Sequence, residues 1–409
     1  MGCGRPWEID IYALMTIHRK SHMATNESKF SPSIGEEVPE SEVSTLELFF
    51  DLVFVFGFIQ VGQFLIANPT WTGMVRGVAL LAALWWAWIT YSWLTNAVQA
   101  HNIFSGRLVI LSAITAMFVV ALAVPDAFGS AGVIFGIAYF VVRALHVGLY
   151  AVATDPETQR GIRRLAPGFL GGPALIVAAG VFDGTVEGVL WAVALVIDYS
   201  VPYIRGNEEF QIRAEHFVER YRLIIIIALG EILIEMGFGV AELSLGIRVI
   251  VGAVFGMVIV IAFWWLYFDY VAPAAECRLI EIDGPERSRR ALISYSYLHF
   301  LIVAGIIFSA FGIGEALAHI GETLGLIFAV GLYGGGALYL LGHTLFEQHD
   351  IGRFSIAELT VAIVAIALIP VAARLSALVA LVGLALIFAG LAVYELRALE
   401  HHLGSGAET

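Results

Sequence analysis

Residues 45–66 read TLELFFDLVFVFGFIQVGQFLI. The only charges in this stretch are Glu47 and Asp51, both near its start. A bilayer core about 30 Å thick needs roughly 20 mostly apolar residues per helix, so the segment is long enough to cross one. Windows of the same kind recur near 74–95, 107–125, 131–153, 165–182, 186–204, 218–240, 247–271, 290–312, 322–346, 355–372 and 375–397. The composition agrees with twelve spans. The 409 residues are 59% hydrophobic and 14% charged, with mean hydropathy +0.85. A soluble domain carries about 25% charged residues, and a soluble chain this apolar could not cover its own surface. The formal net charge of −13 leaves no basic footprint for nucleic acid. Two cysteines, Cys3 and Cys277, do not make a disulfide framework or a cysteine zinc site.

Charge orients the spans. With the amino terminus inside, 18 of the 22 basic residues fall in cytoplasmic loops and tails. Arg76, Arg248 and Arg374 remain outside, and Arg143 lies within a span. That asymmetry is a positive-inside pattern and places both termini in the cytoplasm. It also favours an even number of spans. Residues 1–42 hold the only two lysines, Lys20 and Lys29, and read as a flexible cytoplasmic tail, with Met23 an alternative start. Residues 398–409, with His401-His402, read as a second cytoplasmic tail.

The two halves echo each other. Trp85-Trp86 in the second window matches Trp264-Trp265 in the eighth, at an offset of 179. Ala127-Phe128-Gly129 matches Ala310-Phe311-Gly312 at 183, and Ile134-Phe135 matches Ile327-Phe328 at 193. The offset rises in order, as loop insertions would make it do. The expected fold is therefore an all-α, polytopic transmembrane helix bundle of about twelve spans. It is expected to divide into two parallel six-helix repeats, 43–206 and 207–397, related by an axis along the membrane normal.

The first window carries Leu46-Glu47-Leu48-Phe49-Phe50-Asp51-Leu52-Val53-Phe54-Val55-Phe56. The seventh carries Glu219-Arg220-Tyr221-Arg222-Leu223 and then Ala228-Leu229-Gly230-Glu231. With Trp85-Trp86 and the Ser/Tyr/His-bearing ninth window, residues 44–397 resemble the bacterial low temperature requirement A (LtrA) family. The resemblance implies a multi-pass protein of the bacterial cytoplasmic membrane. The first window is more loosely similar to a six-helix-repeat potassium channel family with a Phe-Ser-Asp motif. Phe50-Asp51 lacks that serine, and the seventh window has no Asp at the matching place.

Ionisable side chains inside a membrane cost roughly 2.5–3.5 kcal/mol each on insertion scales, so they mark candidate sites. Glu47 and Asp51 share a helical face near the cytoplasmic end. They suit either an interfacial anchor or the inner mouth of a cation path. Glu231, with Glu235 one turn on, is expected near the midplane. Tyr139, Arg143, His146 and Tyr150 form one polar stripe of the fourth window, echoed in part by Tyr339, His343 and Glu347 in the tenth. His299 lies in the ninth, while Asp198 and Asp269 read as anchors near cytoplasmic ends. Arg143 and Glu231 are expected at similar depth, and hence as a mutually neutralising pair.

No Walker A loop and no GxSxG occur, and Gly334-Gly335-Gly336 reads as a helix-packing element. No catalytic residue, cofactor or metal is assigned, and the reading leans away from an enzyme. The leading function is a transporter or channel using protonatable residues at the repeat interface. The alternatives are an intramembrane enzyme acting on a lipid or amphipathic substrate, and a membrane scaffold or sensor. The expected partners are the lipid bilayer, a proton or small ion, and a second copy of the chain, without nucleic acid.

Overall fold

The computed structural model describes residues 43–98, 104–241 and 243–406. The expected tail 1–42, with Lys20, Lys29 and Cys3, lies outside the described residues. Among the described residues twelve helices follow one another: α1 Thr45–Ala67, α2 Trp71–Ala97, α3 Phe104–Asp126, α4 Gly132–Ala153, α5 Pro156–Ala179, α6 Thr185–Arg205, α7 Ala214–Val240, α8 Ile247–Glu281, α9 Gly284–Ala318, α10 Leu326–Asp350, α11 Ile356–Ala372 and α12 Ala377–Gly406. Among the described residues there is no strand, only an isolated bridge between Thr323 and Ser376.

The chain is an all-α, polytopic helix bundle, and ten of the twelve helices are long and apolar enough to cross a membrane. The two exceptions are α5 and α11. The α5 helix starts at Pro156 rather than near 165, so its first turns carry Arg160, Arg163 and Arg164. The α11 helix has 17 residues, about 25 Å at the usual rise. At the other extreme, α12 continues to Gly406, past the boundary expected at 397.

Local chemistry explains the helix starts. Ser44 and Glu47 form a reciprocal capping box at α1, with Glu47 N–H donating to Ser44 Oγ and Ser44 N–H donating to Glu47 Oε2. Thr70, Asp155 and Ser355 cap α2, α5 and α11 through side-chain oxygens. Gly325 enters α10 at φ +78°, a conformation L side chains rarely adopt.

The α9 helix is central, with Ile302–Ile307 and Phe311 sealed from the surroundings. It lies against α7 on one side and α10 on the other. Glycines set the second contact. A methyl group on Gly305 would sit 2.7 Å from Tyr339 Cα, and one on Gly342 would sit 2.8 Å from Ile302 N. Only residues without a side chain let these backbones approach so closely. Gly335 meets Ser309 in the same way. Segments of π-helix interrupt α8 at Tyr267–Val271, α9 at Leu292–Leu298 and α10 at Val330–Gly334.

In the first half α1 packs on α3, α3 on α4, and α2 on α6. In the second half α7 packs on α9, α9 on α10, and α8 on α12. The α1–α7 contact joins the halves. Trp85, Trp86 and Trp88 are fully buried between helices, whereas Trp71 and Trp264 are exposed on the outer surface.

Candidate functional site

Buried polar centres occupy the bundle at several places, and two of them lie on the α1–α7 pair. The first lies where both helices begin. Arg220 of α7 places Nη2 2.5 Å from Asp51 Oδ1 and Nη1 3.8 Å from Glu47 Oε1. Arg220 Nη1 donates to Thr95 Oγ1 at 2.7 Å, and Trp88 Nε1 donates to Asp51 Oδ1 at 2.8 Å. His216 Nε2 stands 3.2 Å from Glu47 Oε2. The guanidinium also lies over the Trp88 ring, 5.5 Å from its centre. Glu47 and Asp51 are therefore both buried, and both have a counter-charge. Arg220 belongs to the quoted seventh-helix motif but had been counted among the cytoplasmic loop cations. Arg220 already falls within the expected window 218–240, and the four further residues with which α7 begins, 214–217, bring His216 into the helix as well.

The second centre lies toward the other end of the same helix pair. Glu231 and Glu235 sit one turn apart on α7, 1% and 0% exposed. Gln63 Nε2 of α1 donates to Glu235 Oε1 at 3.1 Å. Neither oxygen of Glu231, nor Glu235 Oε2, has a hydrogen-bond partner among the described residues. Gly62 of α1 faces both carboxylates. A methyl group there would lie 3.2 Å from Glu231 Oε1 and collide with Glu235 Oε1. The glycine therefore makes the notch into which the two acids fit. From the other side Gly314 of α9 supports Glu235, where a methyl group would come within 3.1 Å of the Glu235 carbonyl oxygen. Glu231 is not at the midpoint of its helix. With α7 beginning at Ala214, it lies 17 residues in, about 26 Å along the axis and beyond the centre.

The third centre is confined to the first half. Arg143 Nη2 stands 3.4 Å from Asp198 Oδ1, and Tyr139 Oη donates to Asp198 Oδ2 at 3.0 Å. All three side chains are buried, and Arg143 lies 4.9 Å above the Phe169 ring. This corrects the expected Arg143–Glu231 ion pair, which is not made. It also corrects Asp198, which is no interfacial anchor but the counter-charge of Arg143. The cause is lateral packing. The α4 helix packs mainly on α3 and α5 and meets α6 through Asp198, while α7 packs on α1, α8 and α9. Similar depth does not make neighbours of helices on different sides of a bundle.

The remaining expected residues separate. His299 is a satisfied core histidine. Its Nδ1 faces Ser294 O at 2.9 Å and its Nε2 faces Tyr267 Oη at 2.8 Å. The carbonyl can only accept, which places the ring proton on Nδ1 and leaves Nε2 to accept from Tyr267. His343 Nε2 donates to Leu266 O at 3.0 Å, and its Nδ1 stands 2.8 Å from Glu358 Oε2. His146 is buried among Tyr91, Tyr150 and Phe169. Among the described residues no three His, Cys, Asp or Glu side chains converge as metal ligands. The stripe Tyr139, Arg143, His146 and Tyr150 is buried along its length.

Residues 42–393 match the family model for the bacterial low temperature requirement A protein. An uncharacterized protein of Rhizobium meliloti (strain 1021) is 30% identical over 394 residues, covering 91% of this chain and 93% of the relative. No solved structure matches the chain.

Proposed function

The chain belongs to the bacterial low temperature requirement A (LtrA) family of multi-pass membrane proteins, and from that premise we propose that it moves a proton or small cation along the α1–α7 interface. The observation that carries this reading is the Glu231/Glu235 centre. Three carboxylate oxygens there are buried without a donor among the described residues. Burying an acceptor without a partner costs about 1–3 kcal/mol, more if it is charged. Such oxygens are receptors for a proton or a cation. A scaffold would favour pairing every buried charge, as Arg143–Asp198 and Arg220–Asp51 are paired.

The placement suits transport. The Glu47/Asp51/Arg220 centre and the Glu231/Glu235 centre lie on the same helix pair at different depths. Eleven residues separate Asp51 from the Gly62 notch, about 16 Å along α1. The enzyme alternative has less support. A groove of about 540 Å³ on the outer surface runs past Trp71, Val78, Phe308, Leu338 and Ile366, and no ionisable side chain lines it. It offers a lipid chain a surface but no acid–base pair.

We read the bundle as two parallel repeats, α1–α6 and α7–α12. The matching packing pairs of the two halves support this. So does a shared feature of the fourth helix of each half. Tyr139 precedes Arg143 by four residues and Tyr339 precedes His343 by four, and each basic residue meets an acid of a following helix. In this reading α5 and α11 cross with the rest, both chain ends are cytoplasmic, and the Glu47 end faces the cytoplasm.

Labelling with dicyclohexylcarbodiimide, which couples to protonated carboxyls in apolar surroundings, tests the site. Peptide mass spectrometry should find the adduct at Glu231, and adding sodium or potassium should reduce it if a metal cation is the ligand. An adduct at Glu231 that no cation reduces points to the proton alone. No adduct at Glu231 or Glu235 under any condition removes the proposed site.

A further inference from the structure

Among the described residues, unpartnered buried groups of two chemistries gather at two separate places. At Glu231 and Glu235 they are acceptors. Around a separate cavity in the first half they are donors. That cavity, about 40 Å³, lies beneath the 206–213 connection and is walled by Trp86, Trp93, His146, Tyr150, Phe169 and Phe210. Its volume is room for about three water-sized groups.

Three of these walls carry a buried polar atom without a hydrogen-bond partner among the described residues: Trp86 Nε1, His146 Nδ1 and Tyr150 Oη. Each of those side chains is 1% exposed. Against the Phe169 ring lies the Arg143 guanidinium, 4.9 Å from the ring centre. Its Nε and Nη1 are also buried and unpartnered among the described residues. Its single ion-pair contact, with Asp198, uses Nη2. An indole N–H and a guanidinium N–H can only donate, and a phenol and a neutral imidazole each bring one N–H or O–H. No carboxylate lines the cavity.

We propose that this cavity binds a small monovalent oxyanion, of the size of formate, acetate or nitrate, held by Trp86, His146 and Tyr150 with Arg143 beside it. Oxygens without protons match a donor set. Flat aromatic walls match a planar ion of three or four heavy atoms. The carboxylate of Asp198 leaves the Arg143 neighbourhood close to neutral, which favours a single negative charge over a double one. The site is separate from the α1–α7 centre and does not depend on the cation reading.

The test uses the full-length protein in nanodiscs. Sodium formate, acetate and nitrate are titrated separately at constant ionic strength, with sodium sulfate as the divalent control, and binding is read by calorimetry. Saturable binding of one formate per chain is expected, with sulfate not competing. Tyr150→Phe removes only an oxygen that has no hydrogen-bond partner among the described residues, so the variant is expected to fold. It should weaken formate at least about tenfold, the worth of one hydrogen bond to a charged ligand. Trp86→Phe should act similarly, and Glu231→Gln should leave formate affinity unchanged. Absence of saturable binding by all three anions overturns the proposal. So does an affinity that is the same in the wild type, Tyr150→Phe and Trp86→Phe.

Discussion

Arg143 and Asp198 face each other across the first half of the bundle, 3.4 Å apart and both fully buried. Removing one member of a buried pair leaves the other uncompensated, at a typical cost of about 3–5 kcal/mol. Arg143→Ala and Asp198→Ala should therefore each lower the thermal midpoint in detergent markedly. The double change Arg143→Met with Asp198→Leu should recover most of the loss, because no buried charge then remains. Single variants as stable as the wild type would show that the pair does not hold α4 to α6.

Arg220 gives the corresponding prediction at the start of α7. It neutralises Asp51 and Glu47 together and donates to Thr95. Arg220→Gln keeps a donor but removes the charge, and should destabilise the protein by several kcal/mol, about the scale of a broken buried pair. Adding Asp51→Asn should restore part of it. Chemical unfolding of the single and double variants measures the coupling directly, and additive effects would contradict it.

Much of the fold was legible in the sequence, and much of the site was not. Windows such as 45–66 are apolar over the length of a membrane span, and that length is a property of one segment alone. All twelve windows therefore appear as helices. The π-helical segments and the early start of α5 leave no comparable trace in hydropathy. Partners are a different matter. Depth can be counted along a helix, and it put Arg143 level with Glu231. Which helix stands beside which is decided by small residues such as Gly136, whose added methyl would lie 2.6 Å from Val177 Cα and which brings α4 against α5. Arg220 was visible in its motif and lay inside the 218–240 window, but so near the helix start it reads as one more cytoplasmic cation until α1 is seen beside it with Asp51. The glycine notch at Gly62 has meaning only once α1 is seen against α7.

That notch is open to direct test. Gly62→Ala puts a methyl group onto Glu235 Oε1 and within 3.2 Å of Glu231 Oε1. Neither acid can stay where it is. The expected result is a protein that still inserts and folds, with a fall of less than about 3 kcal/mol in stability, the range of local overpacking. Ion-linked activity should be lost or strongly reduced. Full activity in Gly62→Ala would show that the positions of the two carboxylates do not matter.

Outside the spans, Asp155 predicts a pH dependence. Its carboxylate accepts from the Thr158 hydroxyl at 2.7 Å and from the Thr158 and Glu157 backbone N–H groups. These bonds, the hydroxyl's first, hold its pKa below the ordinary 3.8. A lowered folded-state pKa stabilises above the unfolded value and loses that contribution as pH falls through the folded one. The start of α5 should therefore fray only below about pH 4. Hydrogen exchange at residues 157–160, corrected for intrinsic rates, should show this in the wild type. Asp155→Asn, whose amide oxygen caps without titrating, should show no such change. Equal pH dependence in both proteins would contradict the assignment.

The central claim is that the unpartnered carboxylate of Glu231 carries the transported charge. Purified wild-type protein and Glu231→Gln, reconstituted at equal density in liposomes holding a pH-sensitive dye, are compared under imposed proton, sodium and potassium gradients. The account expects wild-type flux along at least one gradient, and flux at the empty-liposome level in a Glu231→Gln protein that is folded and inserted. Equal flux in the two proteins, or none above empty liposomes in the wild type under any of the three gradients, would contradict it.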